Sequence, residues 1–164
     1  MLIPLGTMDE YLLEAREELK RLEHIIYVSL KYTRTVDVII NALKRIVETY
    51  NFIIEAYLNR ALEQGLVDSI PKSPALRATR LDNLYPEDQY LTKYLQFYKF
   101  LKNVLNTPHD KIREYRRHVA LIIEQNNQTI SINIDNLMNA QKYIHKFFTY
   151  AWHEIVGLPD EDDD

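Results

Sequence analysis

Val36, Ile39, Ile40, Leu43, Ile46, Val47, Tyr50, Ile54, Tyr57, Leu58 and Ala61 recur at helical spacing, and nothing breaks the run before Gly65. Thr35 stands at the N-cap position, Asp37 follows in the first turn, and Gly65 is a C-terminal stop. At ~1.5 Å per residue the helix is roughly 45 Å long. A rod of that length with one apolar stripe needs a partner of similar length. The segment Thr7 to Leu30 offers one, with Leu12, Ala15, Leu19, Leu22, Ile26 and Leu30 at the same spacing. "KYTRT" (31–35) interrupts the two.

The rest of the chain extends this pattern. The stretch 66–89, punctuated by Pro71, Pro74 and Pro86, is irregular, with a short helix expected in "SPALRATRL" behind a Ser73 cap. A third helix is expected from Pro86 to about Leu105, with an apolar face rich in tyrosine and phenylalanine. A fourth follows Thr107 and Pro108 and runs to about Glu124. Residues 126–135, "NNQTISINID", break the helical pattern. Ile130, Ile132 and Ile134 alternate, but a lone strand has nothing to pair with, so a packed connection is expected. The last helix starts near Asn133 or Asp135 and ends at Gly157 and Pro159. Glycine, at 3 in 164 residues, leaves few tight turns. These signals predict an all-α fold, an antiparallel four- or five-helix bundle, as a single domain over 1–159.

The tail "DEDDD" (160–164) is expected to be disordered, either as a solubilising end or as a competitor for anionic ligands at a basic patch. Removing its five charges from the net −4 leaves +1 for the body. Bulk acidity therefore does not exclude an anionic partner, because a local patch sets the local field.

Several chemistries are excluded by residue type. With no cysteine there is no disulfide, thiolate nucleophile or cysteine-based metal site. No glycine-rich loop cradles a phosphate, and no serine sits in a nucleophile elbow. Arg21, Asn106, Tyr115, Lys142 and Tyr150 stand three residues before the five histidines, so the Glu-x-x-His pairs of di-metal bundles are missing. No metal and no cofactor are expected. The N-terminus lacks the basic and apolar regions of a signal peptide, and no run approaches a membrane span, so a cytoplasmic protein is expected.

One stretch points to chemistry. In "REYRRHVAL" (113–121) three arginines and a histidine fall within six positions. On a helical wheel Ile112, Tyr115, Val119, Ile122 and Ile123 form the apolar stripe. Arg113 and His118 flank it about 140° apart, so they converge on one phosphate only through a distorted helix start or a second copy of the helix. The plainer alternative is a solvated basic face, with Glu114 four residues before His118 as its ion-pair partner.

Arg113-x4-His118 on a late helix, followed by a final helix, resembles the HEPN superfamily of helical bundles. "EELKRLEHIIYVSLKYTRTVDVII" together with "EYRRHV" is also similar to a group of small, poorly characterised archaeal-type proteins associated with that fold. The resemblance implies a HEPN-like, metal-independent endoribonuclease or a toxin- or defence-type RNA-binding protein, with an active site at a homodimer interface. It makes Arg113 and His118 the catalytic pair. His118 would act as acid or base and Arg113 would stabilise charge on the phosphate. Lys111, Arg116 and Arg117 would contact RNA, with Tyr115 and Glu114 as auxiliary residues. An antitoxin or nucleotidyltransferase partner is implied for toxin-type members, although Ala120 replaces the tyrosine such antitoxins modify. The alternative is a non-catalytic helical adaptor module.

Overall fold

The computed structural model describes residues 8–157. Helix α1 (Met8–His24) continues through a five-residue π-helical stretch, Ile25–Ser29, into a last turn, α2 (Leu30–Tyr32). The long helix α3 (Val36–Glu63) follows, then α4 (Pro74–Leu84) and α5 (Gln89–Leu105). Three strands come next, β1 (Asp110–Ile112), β2 (Ala120–Gln125) and β3 (Gln128–Asn133), before the final helix α6 (Ile134–Ile155). Thr7, the expected start of the first helix, and the acidic tail lie outside the described residues.

Helix α3 is the axis of the molecule. Its stripe from Val36 through Ile39, Leu43, Ile46, Tyr50, Ile53 and Tyr57 is buried, but so are Ala42, Thr49 and Ala56, which recur every seven residues off that stripe. A helix buried on more than one side is surrounded by neighbours. α1 packs along it most extensively, and α4, α5, α6 and β2 also lie against it. Thr49 is tolerated inside because its hydroxyl donates to the Arg45 carbonyl at 2.9 Å. Glu18 is buried on α1, where Arg21 (2.7 Å) and Arg45 (3.3 Å) neutralise it. Helix α6 runs antiparallel to α1: Arg16 lies over the Trp152 ring, and Gln141 donates to Glu23 nearer the other end.

An aromatic cluster joins α3, α5 and α6. Phe147 is fully buried, with ring centroids of Tyr94 at 4.7 Å, Tyr50 at 5.2 Å and Tyr57 at 6.4 Å. The Tyr98 hydroxyl donates to Asn51 Oδ1 at 2.6 Å. Among the described residues, the hydroxyls of Tyr50 and Tyr57 have no hydrogen-bond partner.

The expectation of an all-α, HEPN-like bundle is corrected by residues 110–133. They form a three-stranded antiparallel sheet in the order β1-β2-β3. Neither the expected fourth helix over 108–124 nor the packed connection over 126–135 forms. Val119, Ala120, Leu121 and Ile123 are buried and Ile122 is half-buried, in one unbroken apolar run. Such a run fits a helix stripe and a buried strand equally well, and the hairpin decides between them. Asn126 (φ 51°) and Asn127 (φ 62°) both take the left-handed conformation that a two-residue type I′ turn requires. That turn pairs Gln125 with Gln128, Ile123 with Ile130 and Leu121 with Ile132. The third helix also starts later than expected, at Gln89, where the Asp88 carboxylate accepts from Leu91 N at 3.0 Å.

Asn tolerates the left-handed region and β-branched residues do not. Asn127→Val is therefore expected to lower stability by about 1 kcal/mol. The urea midpoint reads this directly, and an unchanged midpoint would argue against the turn as described.

Candidate functional site

The segment 113–119 that joins β1 to β2 is built of two linked turns. Arg116 N–H donates to the Arg113 carbonyl (3.1 Å), and Val119 N–H donates to the Arg116 carbonyl (3.0 Å). Arg113 (φ 54°) and Tyr115 (φ 64°) are held in the left-handed region without being glycine. Strain of this kind persists only where surrounding contacts fix it, and three are present. Tyr115 N–H donates to the Arg34 carbonyl at 2.6 Å. A Glu114 oxygen accepts from Val36 N (3.4 Å) and lies 3.9 Å from Lys111 Nζ. Val119 is fully buried and anchors the far end. Glu114 therefore supplements the Thr35 cap at the positive end of α3. It is not the i,i+4 partner of His118 that a helix would have made it.

This docking fixes each sequence-predicted residue. Lys111 is exposed on β1 and tied to Glu114. Arg113, Tyr115, Arg116, Arg117 and His118 are all exposed on the loop, Tyr115 at 78 %. Arg117 and His118 line one cavity of about 230 Å³ with Arg34, Asn133, Ile134 and Asp135. Arg113 is not among the residues lining it, so within one chain the loop brings His118 to Arg34 and Arg117 rather than to Arg113.

Sequence reasoning missed Arg34, Asn133 and Asp135 as cavity residues. Arg34 sits in the "KYTRT" interruption, and only its long-range contact with Tyr115 places it beside the loop. The Arg34 Nε is buried without a hydrogen-bond partner. Asn133 caps α6 in a reciprocal box with Asn136: Asn136 N donates to Asn133 Oδ1 (2.9 Å) and Asn133 N to Asn136 Oδ1 (3.0 Å). That box leaves the amides of Ile134 and Asp135 as first-turn donors without helical partners. Comparison with known protein families, curated proteins and solved structures yields no match.

A second cavity, of about 220 Å³, shares Arg34 and Ile134 with the first and adds Ile26, Tyr27, Leu30 and Lys31. The π-helical stretch leaves Ile25 and Ile26 buried while Tyr27 is 47 % exposed beside this cavity. Tyr32, at 80 % exposure, stands two residues before Arg34. One end of the molecule therefore displays Tyr27, Tyr32 and Tyr115 among Lys31, Arg34, Arg113, Arg116 and Arg117. Asp135 is the carboxylate residue lining the first cavity, and Glu114 is engaged by Val36 N and Lys111.

Larger cavities lie elsewhere. One of about 460 Å³ between α5, β3 and α6 has apolar walls including Phe97, Phe100 and Ile130. Another, of about 700 Å³, is bordered by Tyr90, Tyr94 and Tyr150. Neither brings arginine side chains together, so the smaller cavity at the basic end is the better candidate for anion chemistry. Among the described residues no group of His, Asp and Glu can hold a metal ion, and no helix is long and apolar enough to cross a membrane.

Proposed function

We propose that the basic end of this protein binds single-stranded nucleic acid. The observation that carries this reading is the interleaving of exposed tyrosines with exposed cations on elements that the Tyr115–Arg34 bond locks together. Cations follow a phosphate backbone, and aromatic rings accept unpaired bases of any sequence. A duplex hides its bases from such rings, so the surface suits single strands, RNA or DNA. Cleavage by an Arg113–His118 pair receives no added support from one chain, because Arg113 stands outside the cavity that His118 lines. Binding is accordingly the function the geometry favours.

The test uses fluorescence anisotropy with a labelled ten-nucleotide RNA, the same sequence as DNA, and a duplex of it. The single strands are expected to bind more tightly than the duplex, and the RNA–DNA difference identifies the natural strand. Tyr115→Gly removes a stacking ring and at the same time relieves the left-handed strain at φ 64°. It is expected to weaken single-strand binding by about 1–3 kcal/mol without lowering the melting temperature. Equal binding by Tyr115→Gly and the native chain, or a preference for duplex, would remove the reading.

A further inference from the structure

The two cavities that meet at Arg34 have a division of character that bulk nucleic-acid binding does not require. The first is polar. Arg34 and Arg117 bring two guanidiniums, His118 an imidazole, and the start of α6 the first-turn amides of Ile134 and Asp135, which have no partner within the helix. None of these three side chains has a hydrogen-bond or ion-pair partner among the described residues, and the Arg34 Nε is already stripped of water. Two full positive charges and a helix N-terminus oppose a single carboxylate, Asp135. Such a seat matches a doubly charged phosphomonoester better than a singly charged phosphodiester.

The second cavity is less charged. Ile26, Leu30 and Ile134 give it apolar walls, Tyr27 a half-exposed ring and Lys31 one cation. It adjoins the first through Arg34 and Ile134, which line both. A phosphate held in the first cavity would place its attached nucleoside toward the second, where the Tyr27 ring can stack on a base. A phosphate in mid-strand would need both of its neighbours accommodated, and among the described residues the cavity beside Tyr27 is the one that shares these walls.

We infer that the paired cavities hold a terminal nucleotide, with its phosphomonoester against Arg34, Arg117 and His118 and its base against Tyr27. This rests on the nucleic-acid reading above and sharpens it from backbone binding to end recognition. The shared chemistry is a nucleoside monophosphate, which a strand end or a free mononucleotide can supply.

The experiment compares one ten-nucleotide RNA in three forms: 5′-phosphorylated, 3′-phosphorylated and with hydroxyls at both ends. Unlabelled AMP and inorganic phosphate serve as competitors. One terminal phosphate is expected to tighten binding at least about tenfold over the hydroxyl form. Arg34→Ala should erase that gain, so that the phosphorylated and hydroxyl strands bind alike. Arg117→Ala, at an exposed loop position, should give the same loss if Arg34→Ala fails to fold. Tyr27→Ala should weaken AMP competition and spare inorganic phosphate. Equal binding of all three strands overturns end recognition while leaving single-strand binding standing, and no binding of any strand overturns both. Inorganic phosphate competing as well as AMP overturns the nucleoside part. AMP binding without any gain from a strand-terminal phosphate overturns the strand end as the source.

Discussion

Raising the pH through the range 11–13 is expected to unfold this protein in one steep transition, well before its peptide bonds are at risk. The cause lies in the aromatic core. Burial pushes the hydroxyls of Tyr50 and Tyr57 far above the usual phenol range, and Tyr98 up to about 12. All three side chains are almost completely buried. Tyr150 moves in the same direction through burial and its 2.5 Å hydrogen bond to the Asp88 carboxylate, which a phenolate would repel.

The sign follows from proton linkage. A tyrosine in the unfolded chain loses its proton near pH 10, while the same residue in the native core keeps it. The native state then holds more protons than the unfolded one, so stability is fully present below pH 10 and falls as the pH rises above it. Each buried tyrosine removes about 1.4 kcal/mol per pH unit, and the three core residues together about 4 kcal/mol per unit. A domain stable by about 5–15 kcal/mol cannot withstand much more than two or three such units. Helical circular dichroism and tyrosinate absorbance near 295 nm should change together in the steep phase. Tyrosinate growing to completion for all 12 tyrosines while the dichroism holds would show that these hydroxyls are not sealed in the core. Tyr50→Phe offers an internal control. It deletes a buried hydroxyl with no partner among the described residues, so stability at neutral pH should hold or rise, and the alkaline midpoint should move upward.

The same chemistry separates what the sequence discloses from what it hides. Helix α3 is legible because its stripe, its Thr35 cap and its Gly65 stop are local signals that agree. The short helix behind Ser73 and the start of α6 at Asn133 are legible for the same reason. The sheet is not, because Val119–Ile123 is an unbroken apolar run that reads equally well as a helical stripe. Its one local signal was the pair Asn126–Asn127, two residues that tolerate left-handed backbone between apolar segments of similar length. Once 108–124 is read as a helix, that turn has only one strand to join and its meaning is lost. Two of the candidate site residues, Arg117 and His118, do meet in one cavity, although on a strained loop instead of a helix face. Their partner Arg34 lies about 80 residues away in sequence and could be found only from the backbone bond that docks Tyr115 on it.

Alanine at Lys31, Arg113, Arg116 and Arg117 together is expected to change how nucleic-acid binding depends on salt, beyond weakening it. These four side chains are exposed at the basic end, and among the described residues none is tied to a carboxylate, whereas Lys111 is held by Glu114. Single-strand binding releases about 0.7 counterion per phosphate neutralised, so four contacts give a slope of log affinity against log salt near −3. Between 50 and 200 mM salt, those four contacts alone weaken binding about 50-fold. The fourfold variant should lose that share of the slope and bind the strand weakly even at low salt. Because no buried group changes, its melting temperature should stay near the native value. A variant that keeps both the native slope and the native affinity would place the nucleic-acid surface elsewhere on the molecule. Loss of affinity with an unchanged slope would assign the four residues a role in shaping the loop. The slope is the more telling measurement of the two, because it counts charges neutralised in the complex, and no rearrangement of uncharged contacts can imitate it.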